Sequence, residues 1–219
     1  MINTFLADLN FNDFDPKKDN IAVVIKEFTL KKKADGPFQR YSEPYIVSMA
    51  IDQNGAKNPA IEFNVLPFPN VRKGQKVTFN GQGHLIYGPQ NPGEFLAYSI
   101  LYMESDKDIR KLGSDIKKIV KSEAINNSLQ TVLAAAPTYL MAATVLTQLT
   151  SLVSVRMQQN RDDELYRQNG TLLRDVSPPY DILRTYTEQA NDFIAPVTSI
   201  LPLVSSNNLG KHCTKIMLQ

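Results

Sequence analysis

One stretch limits the fold more than any other. From Ala124 to Val155 the chain carries no charged residue, and this run lies between two blocks of β-strand pattern. As a helix it is long enough to cross a bilayer core of roughly 30 Å. It also holds Pro137, Tyr139, Gln148 and many Ser and Thr. Thr144, Thr147, Ser151 and Ser154 fall on one helical face, so the segment is weakly amphipathic. Two readings follow. One is a long helix buried against a sheet or a partner subunit, and the other is a helix that inserts into a membrane. In either, Leu133, Leu140, Val145, Leu146, Leu149, Leu152 and Val153 are the residues that make the contact, and Pro137 marks a helix start or a kink.

The flanking blocks set the fold class. After a lead-in over 1–20, in which Phe5, Leu9, Phe11 and Phe14 are the anchors, strand signals begin at Ile21. "IAVVIKEFTLKKK", "PYIVSMAID" and "AIEFNVLPF" come first, then "QKVTFNG", "GHLIYG" and "EFLAYSILYM", punctuated by Gly, Pro and Asn. "GPQNPGE" is a turn, with Pro92 fixing φ and Gly93 permitting a positive one. From Asp106 the period changes: Ile109, Leu112, Ile116, Ile119 and Val120 recur at threes and fours, which predicts an amphipathic helix. The polar stretch "RMQQNRDDELYRQNG" follows the uncharged run. "TLLRDV", "YDILRTYTEQ" and "DFIAPVTSILPLV" then return to strand-like sequence. The expectation is a mainly β protein, an antiparallel sandwich over 21–205 interrupted by a helical insertion over 106–160, with a polar tail over 206–219.

Composition excludes several functions. A net charge of +2 argues against nucleic-acid binding through a broad basic face, because acidic residues nearly balance Lys31-Lys32-Lys33, Arg72-Lys73 and Lys117-Lys118. The single cysteine, Cys213, cannot form an intramolecular disulfide, which fits a reducing compartment. Beside it, His212 supplies a second soft ligand where zinc needs three or four. The N-terminus lacks the basic and apolar regions of a secretory signal, so a cytoplasmic or peripheral-membrane location is expected. Gly81, Gly83 and Gly88 have neither P-loop nor dinucleotide spacing, and no G-x-S-x-G elbow occurs. The motif inventory points to no enzyme.

An acidic cluster remains. Glu104, Asp106, Asp108 and Asp115 match positions one, three, five and twelve of an EF-hand loop, but Ile109 stands where that loop needs glycine, and a strand precedes it. Alternate carboxylates at a strand end suit a hard cation; they also suit a solvated turn in which Asp106 or Asp108 caps the next helix.

Two segments carry a resemblance. "ADGPFQRYSEPYIVSM" resembles the first calcium loop and following strand of a C2 domain, with Asp35-Gly36 leading into Ser42-Glu43-Pro44-Tyr45-Ile46. "LAYSILYMESDKD" resembles the later C2 strand that ends in a hydrophobic-Tyr-x-Asp-x-Asp loop, with glutamate replacing the usual aspartate at 43 and 104. The resemblance implies an eight-stranded sandwich whose loops at one end bind calcium and anionic lipid. It marks Asp35, Glu43, Glu104, Asp106 and Asp108 as ligands, with calcium the cofactor. It also implies that the insertion leaves from this end and returns Asp162 and Asp163 beside it. Two functions are then in view. One is a non-enzymatic module that associates with or perturbs an anionic membrane through its insertion. The other is an assembly module that oligomerises, with itself or another protein, through the same helix.

Overall fold

The computed structural model describes residues 14–33, 41–54, 61–68, 70–105, 138–159 and 162–203, with the single positions 114, 118 and 122. Of the predicted 106–120 helix only Ser114 and Lys118 are described, both helical and exposed; the sites Asp35, Asp106, Asp108 and Leu133 lie outside the described residues, as do His212 and Cys213.

The chain is mainly β, with two antiparallel sheets and a helix between strands. In order, the elements are β1 (Asn20–Leu30), β2 (Pro44–Asp52), β3 (Glu62–Pro67), β4 (Lys76–Thr78), β5 (His84–Gln90), β6 (Phe95–Glu104), α1 (Tyr139–Gln158), β7 (Asp163–Leu173), β8 (Thr185–Tyr186) and β9 (Ile194–Leu203). The first sheet runs β4-β1-β9-β8, with β5 also on β1; the second runs β3-β2-β6-β7. Along one side of β1, β5 pairs with Ile21–Ile25 and β4 takes over at Glu27–Thr29.

The second sheet is covered on both faces. Between the sheets, Ile46 and Ala50 of β2 and Leu96, Ile100 and Tyr102 of β6 meet Val23 and Phe28 of β1. On the opposite face, Val47, Met49 and Leu101 meet Val145, Leu149 and Val153 of α1. Every residue of β2 and β6 is buried, so both sequences read as near-continuous apolar runs, interrupted by Ser48, Asp52, Ser99 and Glu104, rather than as alternation. The edge strand β3 does alternate: Phe63 and Val65 turn toward the helix side, and Glu62 and Asn64 are exposed.

The helix begins just after Pro137, with Thr138 in extended conformation as its N-cap. Val145, Leu146, Leu149 and Val153 are buried under it, whereas Leu140 and Leu152 are exposed. Of the hydroxyls expected on one face, those of Thr144 and Thr147 are outside. Ser151 and Ser154 instead meet a pair on β7: Arg167 Nη1 donates to Ser151 Oγ at 2.7 Å, and Ser154 bonds Glu164. The helix is uncharged on that flank because β7 supplies the Arg167–Glu164 ion pair, 2.7 Å across.

Two expectations are corrected. "DELYRQNG", expected as part of a polar stretch before the strand-like sequence resumes, is itself strand: it forms most of β7, an edge strand that among the described residues pairs with β6 alone, so its solvent side is polar. "YDILRTYTEQ" is mostly turn. It contains the 3₁₀ segment Pro179–Asp181 and only two strand residues, and Tyr180, Asp181 and Leu183 have positive φ.

Candidate functional site

One end of the sandwich gathers the termini of β1, β6 and α1 and the starts of β2, β4, β7 and β9. The insertion leaves and re-enters the sheet there. Pro44 pairs with Glu104, Glu104 pairs with Asp163, and the Ser105 amide donates to the Glu43 carbonyl at 3.2 Å. The described parts of the two segments that carried the C2 resemblance therefore run side by side, and Asp163 pairs with Glu104 at the return of the insertion, the placement that the resemblance implied.

The acidic groups nevertheless part company across the sheet. Tyr102 belongs to the core between the sheets and Met103 to the core under α1, so strand alternation turns Glu104 to the inter-sheet side, where it is 1% exposed. Asp162, also buried, lies on the helix side: it accepts the Tyr45 hydroxyl at 2.7 Å and lies 3.4 Å from Ser105 Oγ. Burial, and secondarily the bond to Asp162, raises the Tyr45 phenol well above its ordinary range. Asp163 is exposed and Glu43 half-buried. Among the described residues no three His, Cys, Asp or Glu side chains are placed to share an ion.

Basic residues converge at the same end. Leu30 closes β1 by donating to the Gln75 carbonyl at 3.1 Å and accepting from the Gly74 amide at 2.6 Å. This brings Lys31 and Lys32, just beyond β1, next to the turn Arg72–Gln75. Gly74 provides that turn's left-handed residue (φ +78°), and the Gln75 amide donates to the Arg72 carbonyl at 2.9 Å. Reciprocal bonds between Ser42 and Val71, 2.8 and 2.9 Å, lay Tyr41 beside Arg72.

These cations have unusual partners. The Arg72 guanidinium sits 5.1 Å from the Tyr41 ring centre and donates to its hydroxyl at 2.9 Å. Lys32 Nζ lies 5.2 Å from the Phe193 ring centre, and Lys31 Nζ donates to the Asn191 carbonyl at 2.6 Å. Lys31, Lys32, Arg72 and Lys73 are all exposed, and none has a carboxylate partner among the described residues. At the same end Lys76 does pair with Glu27, at 2.7 Å, and elsewhere Lys18, Arg167, Arg174 and Arg184 each have a carboxylate within 4 Å.

Net charge concealed this site. The runs Lys31-Lys32-Lys33 and Arg72-Lys73 are visible in sequence, but only the bonding of Leu30 to Gly74 and Gln75 brings their backbones to the same end of the sandwich. No protein-family model matches the chain, and neither a curated protein nor a solved structure matches it.

Proposed function

We propose that this chain is a non-enzymatic, C2-like module that associates with anionic membrane surfaces through its loop end, with calcium the cation its carboxylates there would take. One observation carries the reading: Lys31, Lys32, Arg72 and Lys73 stand exposed, without carboxylate partners among the described residues, at the end from which the helical insertion leaves. A basic side chain near an anionic leaflet contributes about 1 kcal/mol, so four supply useful affinity without breaking an internal ion pair. Docking in this manner leaves α1 on its sheet. Perturbing the bilayer would further require Val145, Leu146, Leu149 and Val153 to leave the sheet.

Co-sedimentation with phosphatidylcholine vesicles, with and without phosphatidylserine, tests this. The expected result is binding that depends on phosphatidylserine and weakens as salt screens it. Failure to sediment with either vesicle would overturn the reading. Repeating the assay in EDTA and in calcium assigns the carboxylates: a calcium-dependent gain lost in Glu104→Gln places a cation there, and indifference to calcium leaves the cations alone to carry docking.

A second reading, assembly through α1, has its own support. The outward face holds Leu140, Leu152 and Val155 at 63%, 48% and 52% exposure. The Thr144 and Thr147 hydroxyls donate back to the Leu140 and Ala143 carbonyls, both at 2.8 Å, which hides their polarity. This version requires a stable oligomer by light scattering that Leu152→Glu dissociates.

A further inference from the structure

We infer that the depression beside the Arg72–Gln75 turn binds a phosphate monoester; this deepens the membrane reading and rests on it. The depression, about 610 Å³, is lined by Tyr41, Asn70, Arg72, Lys73, Gly74 and Gln75. No carboxylate is among them. Its side chains offer a guanidinium, an ammonium, two carboxamides and a phenol, a donor-rich set with two positive charges.

The donors are held in position. Gln75 Oε1 accepts the Arg72 amide at 2.8 Å, which fixes the carboxamide and leaves its NH₂ available. The Tyr41 ring and hydroxyl hold the guanidinium from one side, so one donor is bonded within the protein and the others remain for a ligand. A planar guanidinium matches two oxygens of one phosphate, and Lys73 on the same turn adds a point charge. A phosphate monoester carries about −1.5 to −2 charges at neutral pH and presents three acceptor oxygens. A phosphodiester carries only one charge, so the two cations are better matched by the monoester.

The same chemistry occurs on a lipid, as in phosphatidic acid, and free in solution, as in glycerol 3-phosphate. The test compares vesicles containing phosphatidic acid with vesicles containing phosphatidylglycerol, matched in surface potential, and titrates glycerol 3-phosphate separately. The wild-type chain should prefer phosphatidic acid by about tenfold, the value of one or two charge-assisted hydrogen bonds. Arg72→Lys retains the charge and loses the fork, so it should lose that preference while still binding phosphatidylglycerol. Arg72→Gln should weaken both.

Equal binding to the two vesicle types would overturn the phosphate cradle and leave anionic docking standing. Binding to neither vesicle nor to glycerol 3-phosphate would overturn both. Saturable binding of glycerol 3-phosphate that Arg72→Lys abolishes would support the cradle and identify a soluble ligand. If vesicles fail in that case, only the membrane reading falls.

Discussion

The two ends of the sandwich spend their polar groups differently. At the end opposite the insertion, side chains bond one another. Asp52 accepts the Tyr87 hydroxyl at 2.9 Å and the Gln90 amide at 3.0 Å, and that amide also reaches Glu62 at 2.7 Å. Asn91 donates to the Pro16 and Asp19 carbonyls at 3.1 and 2.6 Å, and the Tyr180 hydroxyl donates to the Pro16 carbonyl at 2.9 Å. Arg174 is paired with Asp175 and Glu94. At the loop end, Lys31, Lys32, Arg72 and Lys73 instead meet rings, a hydroxyl and a carbonyl, or nothing among the described residues. The loop end has bonds of its own, Tyr45 to Asp162 and Lys76 to Glu27, but these four exposed cations, without carboxylate partners among the described residues, retain electrostatic free energy for something outside the fold. Stability variants should therefore map to one end and binding variants to the other.

The sharpest break comes from Tyr180. Its φ of +53° is unfavourable for a side chain of this size, and it is kept because the ring is fully buried and the hydroxyl is bonded. Tyr180→Ala should cost about 3–5 kcal/mol in urea unfolding, the range for removing a large buried ring, and leave vesicle affinity per folded molecule unchanged. A change in affinity would mean that the ends are coupled. Leu149→Ala should cost about 2–5 kcal/mol, since Leu149 is 3% exposed between α1 and the second sheet. Leu152→Ala, on the outward face of the same helix, should stay within about 0.5 kcal/mol.

How much of this was legible in the sequence depended on distance along the chain. "PYIVSMAID" and "EFLAYSILYM" read correctly as strands, whereas their cover on both faces emerged only from the packing of the second sheet and α1. The place of the uncharged helix between strands was also legible, because the period changes are local. "DELYRQNG" was not, since an edge strand with a polar outer side looks like a loop to any hydrophobicity pattern. Nor was the cation patch, because the charges meet only through strand pairing. The acidic site was half legible: Glu43, Glu104 and Asp162 do collect at one end, but strand alternation and the path of the returning chain send Glu104 and Asp162 to opposite faces.

The reciprocal break is made at the loop end. Arg72→Glu combined with Lys73→Glu should change stability by less than about 0.5 kcal/mol, as for exposed positions. It should lower affinity for phosphatidylserine vesicles at least tenfold, since two cations contributing about 1 kcal/mol each become repulsive. Unchanged vesicle binding, or a large loss of stability, would erase the distinction between the ends.

The smallest effect tests the bonded end through pH. Although Glu62 is exposed as a residue, partial desolvation of its carboxyl first, and the Asp52 charge after it, raise that carboxyl above its ordinary 4.5, while the Gln90 side-chain bond and a backbone bond from Gly88 pull it down. A raised acid holds its proton more tightly in the folded state than in the unfolded state. Between the ordinary value and the raised one the folded state therefore binds more protons, and stability falls as pH climbs through that window. Asp15, Asp175 and Glu188 are lowered, chiefly by hydrogen bonds, and act oppositely, losing their contribution as pH falls. The informative quantity is thus the difference between the wild type and Glu62→Gln in urea melts from pH 4 to 7. That difference should tilt against the wild type as pH rises above about 4.5 and then level off. A flat difference would mean that solvent screens Glu62, and that the Gln90 bridge holds by hydrogen bonding without a charge penalty.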